Sequence, residues 1–158
     1  MRGNAHVRFG RRAGETDRPK GRHRAPARPH LAGQKLDEVR RRVQNETLGH
    51  RGRKTDPLYR ARKLLVMAQE RLDEHAQGKL TGLLRAGDPN GETTTAWHAK
   101  EAVRELYAHR DPKLALEWVD QLSADMRYRD CPPEVRQLGR TLCRWRTQIA
   151  AWHHAQPR

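Results

Sequence analysis

Apolar residues recur at steps of three and four on both sides of a short cationic loop between Leu36 and Leu65, and this spacing more than any other feature confines the chain to helices. Leu36, Val39 and Val43 fall on one helical face; beyond the loop, Leu58, Ala61, Leu65, Ala68 and Leu72 continue the pattern. Asp56 followed by Pro57 reads as a helix start, an acidic cap and then a residue whose missing N–H is harmless at the first helical position. The loop itself packs Arg51, Arg53 and Lys54 into four residues, and the flanking helices add Arg40, Arg41, Arg42, Arg60, Arg62 and Lys63. Cations at this density repel one another unless an anion neutralises them. Because the loop runs straight into a helix N-terminus, one anion is expected to meet both its cations and the backbone N–H groups.

The rest of the chain repeats the helical rhythm. A short helix is predicted near Gln77 to Ala86, with Leu80, Leu83 and Leu84 inward and Gly87 as its stop. After the Asp88-Pro89-Asn90-Gly91 turn, a helix from about Thr94 to His109 is capped by threonine and turns Ala96, Ala99, Val103, Leu106 and Tyr107 inward. Asp111-Pro112 opens another helix with Leu114, Ala115, Trp118, Val119, Leu122 and Met126 as a wide stripe. Following Cys131-Pro132-Pro133, the seam Val135, Leu138, Leu142, Trp145, Ile149 and Trp152 predicts one last helix lying along a partner helix or in a groove between two. No segment alternates at period two, and no repeat of solenoid length occurs. The expected architecture is all-α, about six helices in a compact bundle over residues 31–158. Residues 1–30, dominated by glycine, proline and arginine, offer too little apolar surface to offset the entropy of ordering and read as a disordered basic arm.

Charge then narrows the function. Thirty-three Lys and Arg against 19 Asp and Glu leave an excess of +14, which points to a polyanionic partner. The excess is uneven: residues 1–30 carry 9 basic and 2 acidic side chains, residues 31–66 carry 10 and 4, and residues 67–158 carry 14 and 13. Polyanion contact therefore belongs to the first 66 residues, and phosphate contact is assigned to Arg40, Arg41, Arg51, Arg53, Lys54 and Arg60. Two cysteines, Cys131 and Cys143, form neither a disulfide framework nor a Cys-x-x-Cys pair, which fits a reducing cytoplasm. No apolar run reaches the length of a membrane span, and no secretory signal opens the chain.

The remaining polar residues form no catalytic constellation in the sequence. Asp56, Asp88 and Asp111 each precede proline, as helix caps and turns do. Glu117 and Asp120, one turn apart, read as a solvated face rather than a metal site. His98, His109, His153 and His154 lack zinc-ligand spacing, and no nucleophile elbow, phosphate-binding glycine loop or dinucleotide fingerprint is present. Of Trp97, Trp118, Trp145 and Trp152, three lie in apolar stripes and are assigned to the core. No catalytic residue, metal ligand, cofactor or small-molecule substrate is assigned.

Taken in order, LAGQKLDEVRRRVQNETLGHRGRKTDPLYRARKLL, GLLRAGDPNGETTTAWHAKEAVRELY, DPKLALEWVDQL and CPPEVRQLGRTLCRWRTQIAAWHHA resemble insertion-sequence transposases of the ISL-three type over about residues 31–155. The resembling region of that family is the helical segment between the second catalytic aspartate and the final catalytic glutamate of a DDE, RNase H-like domain. The resemblance implies Mg²⁺-dependent phosphoryl transfer on DNA, in which three carboxylates hold two metal ions. It departs at both ends. Arg28-Pro29-His30 stands where the family carries an aspartate-bearing strand, and the chain reads Gln156-Pro157-Arg158 where the family continues into Asn-Gly-Pro-Thr-Glu. The resemblance thus implies a truncated transposase with no catalytic residue at any position, with DNA and either a second copy or a full-length transposase as partners. Loss of the central sheet would bare apolar helix faces and favour self-association.

Overall fold

The computed structural model describes residues 29–157; the expected basic arm lies outside the described residues except for Pro29 and His30. Those two open α1 (Pro29–Leu48), so the helix takes in the last two residues of the expected arm. Proline is at no disadvantage there, since the N–H it lacks would have no partner in the first turn. α1 buries Ala32, Leu36, Val39 and Val43 along one side, the stripe its spacing predicts. It ends at Gly49, whose φ of 70° is the left-handed conformation that glycine adopts freely, with its N–H donating to the Asn45 carbonyl at 2.8 Å.

α2 (Pro57–Val66) and α3 (Glu74–Gly87) form an antiparallel pair, joined by a single 3-10 turn at Gln69–Arg71. The helical spacing through Ala68 and Leu72 had suggested that α2 runs on. Instead the backbone turns extended at Met67. The reason lies far along the chain: the buried Lys100 ammonium donates to the Leu65 and Met67 carbonyls at 2.6 and 2.8 Å, taking the acceptors that a continuing helix would have used. α3 starts at Glu74, three residues before the expected position, because Asp73 caps it by accepting from the Ala76 N–H at 2.7 Å.

α4 (Glu92–Leu106) lies along α1, and this is the most extensive helix contact. Alanines at 96, 99 and 102, all buried, let the two axes approach closely around Val103 and Leu106. The expected threonine cap is replaced by the carboxylate of Asp88. Its Oδ1 accepts from the Thr93 N–H at 3.0 Å, and its Oδ2 from the Thr94 N–H and hydroxyl, both at 2.8 Å. Asp111 caps α5 (Pro112–Met126) through the Lys113 N–H at 2.9 Å, as expected of an aspartate before proline.

The terminal seam divides. α6 (Pro133–Arg144) packs on α5 and α1, α7 (Arg146–His154) turns back along α5, and Trp145 leaves the helical conformation between them. Two contacts fix this bend. Gly139 brings α6 so close to α5 that a Cβ there would lie 2.8 Å from the Cβ of Met126. Arg146 then holds α7 to α5 by a two-pronged pair with Asp120 at 2.5 and 2.7 Å.

All seven α-helices share one apolar core, and no strand occurs among the described residues. Trp97 is buried; Trp118, Trp145 and Trp152 pack half-buried against the core, so the tryptophans serve packing. No described helix is long and apolar enough to cross a membrane.

Candidate nucleic-acid interface

The cationic loop, residues 50–56, is seated rather than splayed. Gly52 lies against Gln44 of α1 and Tyr59 of α2 so tightly that a Cβ would sit 2.7 Å from the Tyr59 ring, with the Gln44 amide closer still. Asp56, expected to cap α2, turns the other way: its Oδ2 accepts from the Arg53 N–H at 2.6 Å, and its own N–H donates to the Arg53 carbonyl at 3.0 Å. This closed turn leaves the side chains of Arg51, Arg53 and Lys54 pointing to solvent. None of them, nor the exposed Arg60, forms an ion pair with a described carboxylate.

The first turn of α2 contributes less than its position suggests. Gly87, at the end of α3, covers it: a Cβ on Gly87 would come within 3.0 Å of Pro57 Cβ and 3.3 Å of the Leu58 nitrogen. Side-chain cations, and not the helix terminus, are what this surface offers an anion.

Arg40 and Arg41 sit apart from the loop and share Asp37. Arg40 is 7% exposed and donates from Nε and Nη2 to Asp37 Oδ1 at 2.9 and 2.5 Å. The Arg41 side chain is 71% exposed, with Nη2 2.6 Å from Asp37 Oδ2. The six residues assigned to phosphate contact therefore divide into four unpaired exposed cations around the loop, one exposed cation with a carboxylate beside it, and one buried cation already satisfied.

Arg42, in the middle of the same basic run, does something its sequence context conceals. Its Nε and Nη2 donate to Glu134 of α6 at 2.7 and 3.1 Å, Nη2 to Glu92 of α4 at 2.5 Å, and Nη1 to Glu46 at 3.0 Å. The bonds to Glu134 and Glu92 raise the already high Arg42 pKa further. Burial works against ionisation of Glu134, but the Arg42 hydrogen bond and charge together hold its carboxyl below the ordinary 4.5. Nothing in the run Arg40-Arg41-Arg42 distinguishes the clamp from its neighbours; only the positions of α4 and α6 do.

The carboxylates show the same pattern of local employment. Asp73, Asp88 and Asp111 cap helices. Glu101 pairs with Lys100 and Arg104, and Glu70 with Arg104. Asp120, one half of the Glu117 and Asp120 pair, is held by Arg146, which keeps its carboxyl below the ordinary range.

A family model described as a transposase, of the ISL-three DDE type, matches residues 29–156. The chain belongs to this family of transposases. No curated protein and no solved structure matches it. Membership in a transposase family carries DNA binding with it. The family's chemistry also calls for Mg²⁺ held by convergent carboxylates. The described residues do not fit that requirement: no group of three or more His, Cys, Asp and Glu side chains among them converges on an ion-sized space. Most of their acidic groups serve helix caps, the loop turn or ion pairs.

Proposed function

We propose that residues 29–157 are the helical, DNA-facing part of a DDE transposase, equivalent to the segment between the family's second aspartate and final glutamate, and that this chain holds DNA without cutting it. The observation that carries the reading is the contrast between the two charge types. Arg51, Arg53, Lys54 and Arg60 stand exposed without carboxylate partners among the described residues, while Asp56 closes the loop's own turn and Asp88 and Glu134 are committed to a helix cap and the Arg42 clamp. A surface of that kind attracts phosphates and has nothing with which to seat two metal ions. A second reading, a free-standing basic helical module that binds DNA or RNA and regulates a full-length transposase, draws on the same cations; it differs in requiring a partner transposase.

Affinity for duplex DNA measured across a range of salt concentrations tests the binding half of this proposal. Four phosphate contacts predict that log K falls against log salt with a slope of about −3.6, from roughly 0.9 per contact. Affinity that is flat in salt would show that the exposed cations do not engage the backbone.

A further inference from the structure

The first half of α1, the end of α2 and the middle of α4 enclose an open cleft of about 780 Å³. Leu36, Leu65 and Val66 belong to its lining; Leu36 and Leu65 are almost wholly covered, whereas Val66 is 75% exposed, more than any other large aliphatic side chain among the described residues. Its lining is also cationic, with six Lys and Arg side chains against the single carboxylate of Asp37. Part of that charge is compensated: Lys100 and Arg104 are paired with Glu101 and Glu70, and Asp37 is shared by Arg40 and Arg41. Lys63 is exposed with no carboxylate partner among the described residues. The Arg62 guanidinium lies 3.8 Å over the Tyr59 ring and donates to the Tyr59 carbonyl, which leaves its charge unneutralised.

We infer that this cleft receives one unpaired nucleotide of a bound DNA strand, the base lying on Val66 and its flanking phosphates meeting Arg41, Arg62 and Lys63. The inference rests on the DNA-binding reading above and adds a substrate feature to it. Three properties of the cleft select this occupant. A space of this size matches the range of small-ligand pockets and is too small for a duplex. Apolar side chains suit the face of an unstacked base, and a cationic rim suits the phosphates on either side of it. Charge complementarity favours an anionic strand over residues 1–28, whose nine basic and two acidic side chains carry the same sign as the lining.

Gly33 supplies a sharp test. It lines the cleft, and a Cβ built there meets nothing within 4 Å, so Gly33→Phe fills the space without forcing the backbone apart. The full chain would be titrated onto a fully paired duplex and onto the same duplex carrying one unpaired thymidine. Wild type is expected to prefer the second probe about tenfold, or ~1.4 kcal/mol. Gly33→Phe, with its helical circular dichroism and melting temperature retained, is expected to bind both probes alike and as tightly as wild type binds the paired one. Arg41→Ala with Lys63→Ala is expected to reduce the preference in the same direction. Equal affinity of wild type for the two probes, or a preference that survives Gly33→Phe, overturns the cleft as a nucleotide site. A self-association removed by Gly33→Phe, with no change in probe preference, also overturns it, by showing that a second copy fills the cleft. No binding to either probe at low salt would instead overturn the DNA-binding reading on which the inference stands.

Discussion

Replacing Arg51, Arg53 and Lys54 together by alanine is expected to weaken duplex DNA binding several-hundredfold near 0.1 M salt while leaving the fold intact. Each phosphate contact contributes about 0.9 to the salt slope, so losing three removes roughly 2.7 powers of ten in affinity per decade of salt below the molar range. The fold survives because these side chains make no packing or ion-pair contact that the core depends on; the loop is held through Gly52 and Asp56 instead. Arg51→Lys with Arg53→Lys, position 54 being lysine already, separates charge from shape. If phosphates are met as point charges the slope is kept, whereas a slope that stays low marks contacts needing the guanidinium fork. A slope unchanged in the alanine variant would move the DNA-facing surface away from this loop.

Arg42→Met is expected to be the most damaging single substitution in the basic run, although it lies beside the exposed Arg41, whose loss should cost little. Methionine keeps much of the stem but removes the cation shared by Glu92 and Glu134, leaving two carboxylates of different helices close together. Glu134 has only 14% of its side chain exposed, so solvent screens it poorly. A penalty of about 3 kcal/mol follows from breaking an ion pair of this kind, and the exposed Glu46 adds little to it. For a domain of this size that lowers the melting temperature by roughly 10 °C.

The pH dependence carries the mechanism. In the wild type the Glu134 carboxyl titrates below its ordinary value, so its contribution is complete above about pH 4.5 and is lost as pH falls through the folded-state value. In Arg42→Met the cause of that depression is gone, so the deficit relative to wild type should be full at neutral pH and shrink on acidification. Restoring stability by adding Glu134→Gln to Arg42→Met would confirm that the stranded charge, and not lost packing, is responsible. A deficit independent of pH would point to packing.

How much of this was legible in the sequence follows from how local each feature is. The all-helical character and the inward faces of α1, α4 and α5 rest on periodicity within single helices, and the structure places Leu36, Val103 and Val119 in the core as the spacing predicts. Aspartate before proline correctly marked the start of α5, where the cap and the capped N–H are two residues apart. Asp56 has the same sequence signature and a different bond, because the loop behind it offers the Arg53 N–H. Breaks imposed from a distance were illegible: α2 stops where Lys100, 35 residues ahead of Leu65, takes its carbonyl, and the last seam bends where Asp120 captures Arg146. The candidate interface was legible as composition, since the charge excess of the first 66 residues is visible at once. Which cations remain available was not, for Arg40, Arg41 and Arg42 are equivalent on paper and differ only in the carboxylates that folding brings to them.

The most direct measurement is strand integrity of DNA held by the pure full chain in Mg²⁺ or Mn²⁺. DNA is expected to be retained by the protein at low salt with every phosphodiester intact, because no described set of carboxylates can position the metal ions. Reproducible cleavage or joining, abolished by substituting an acidic residue of this chain, would contradict it.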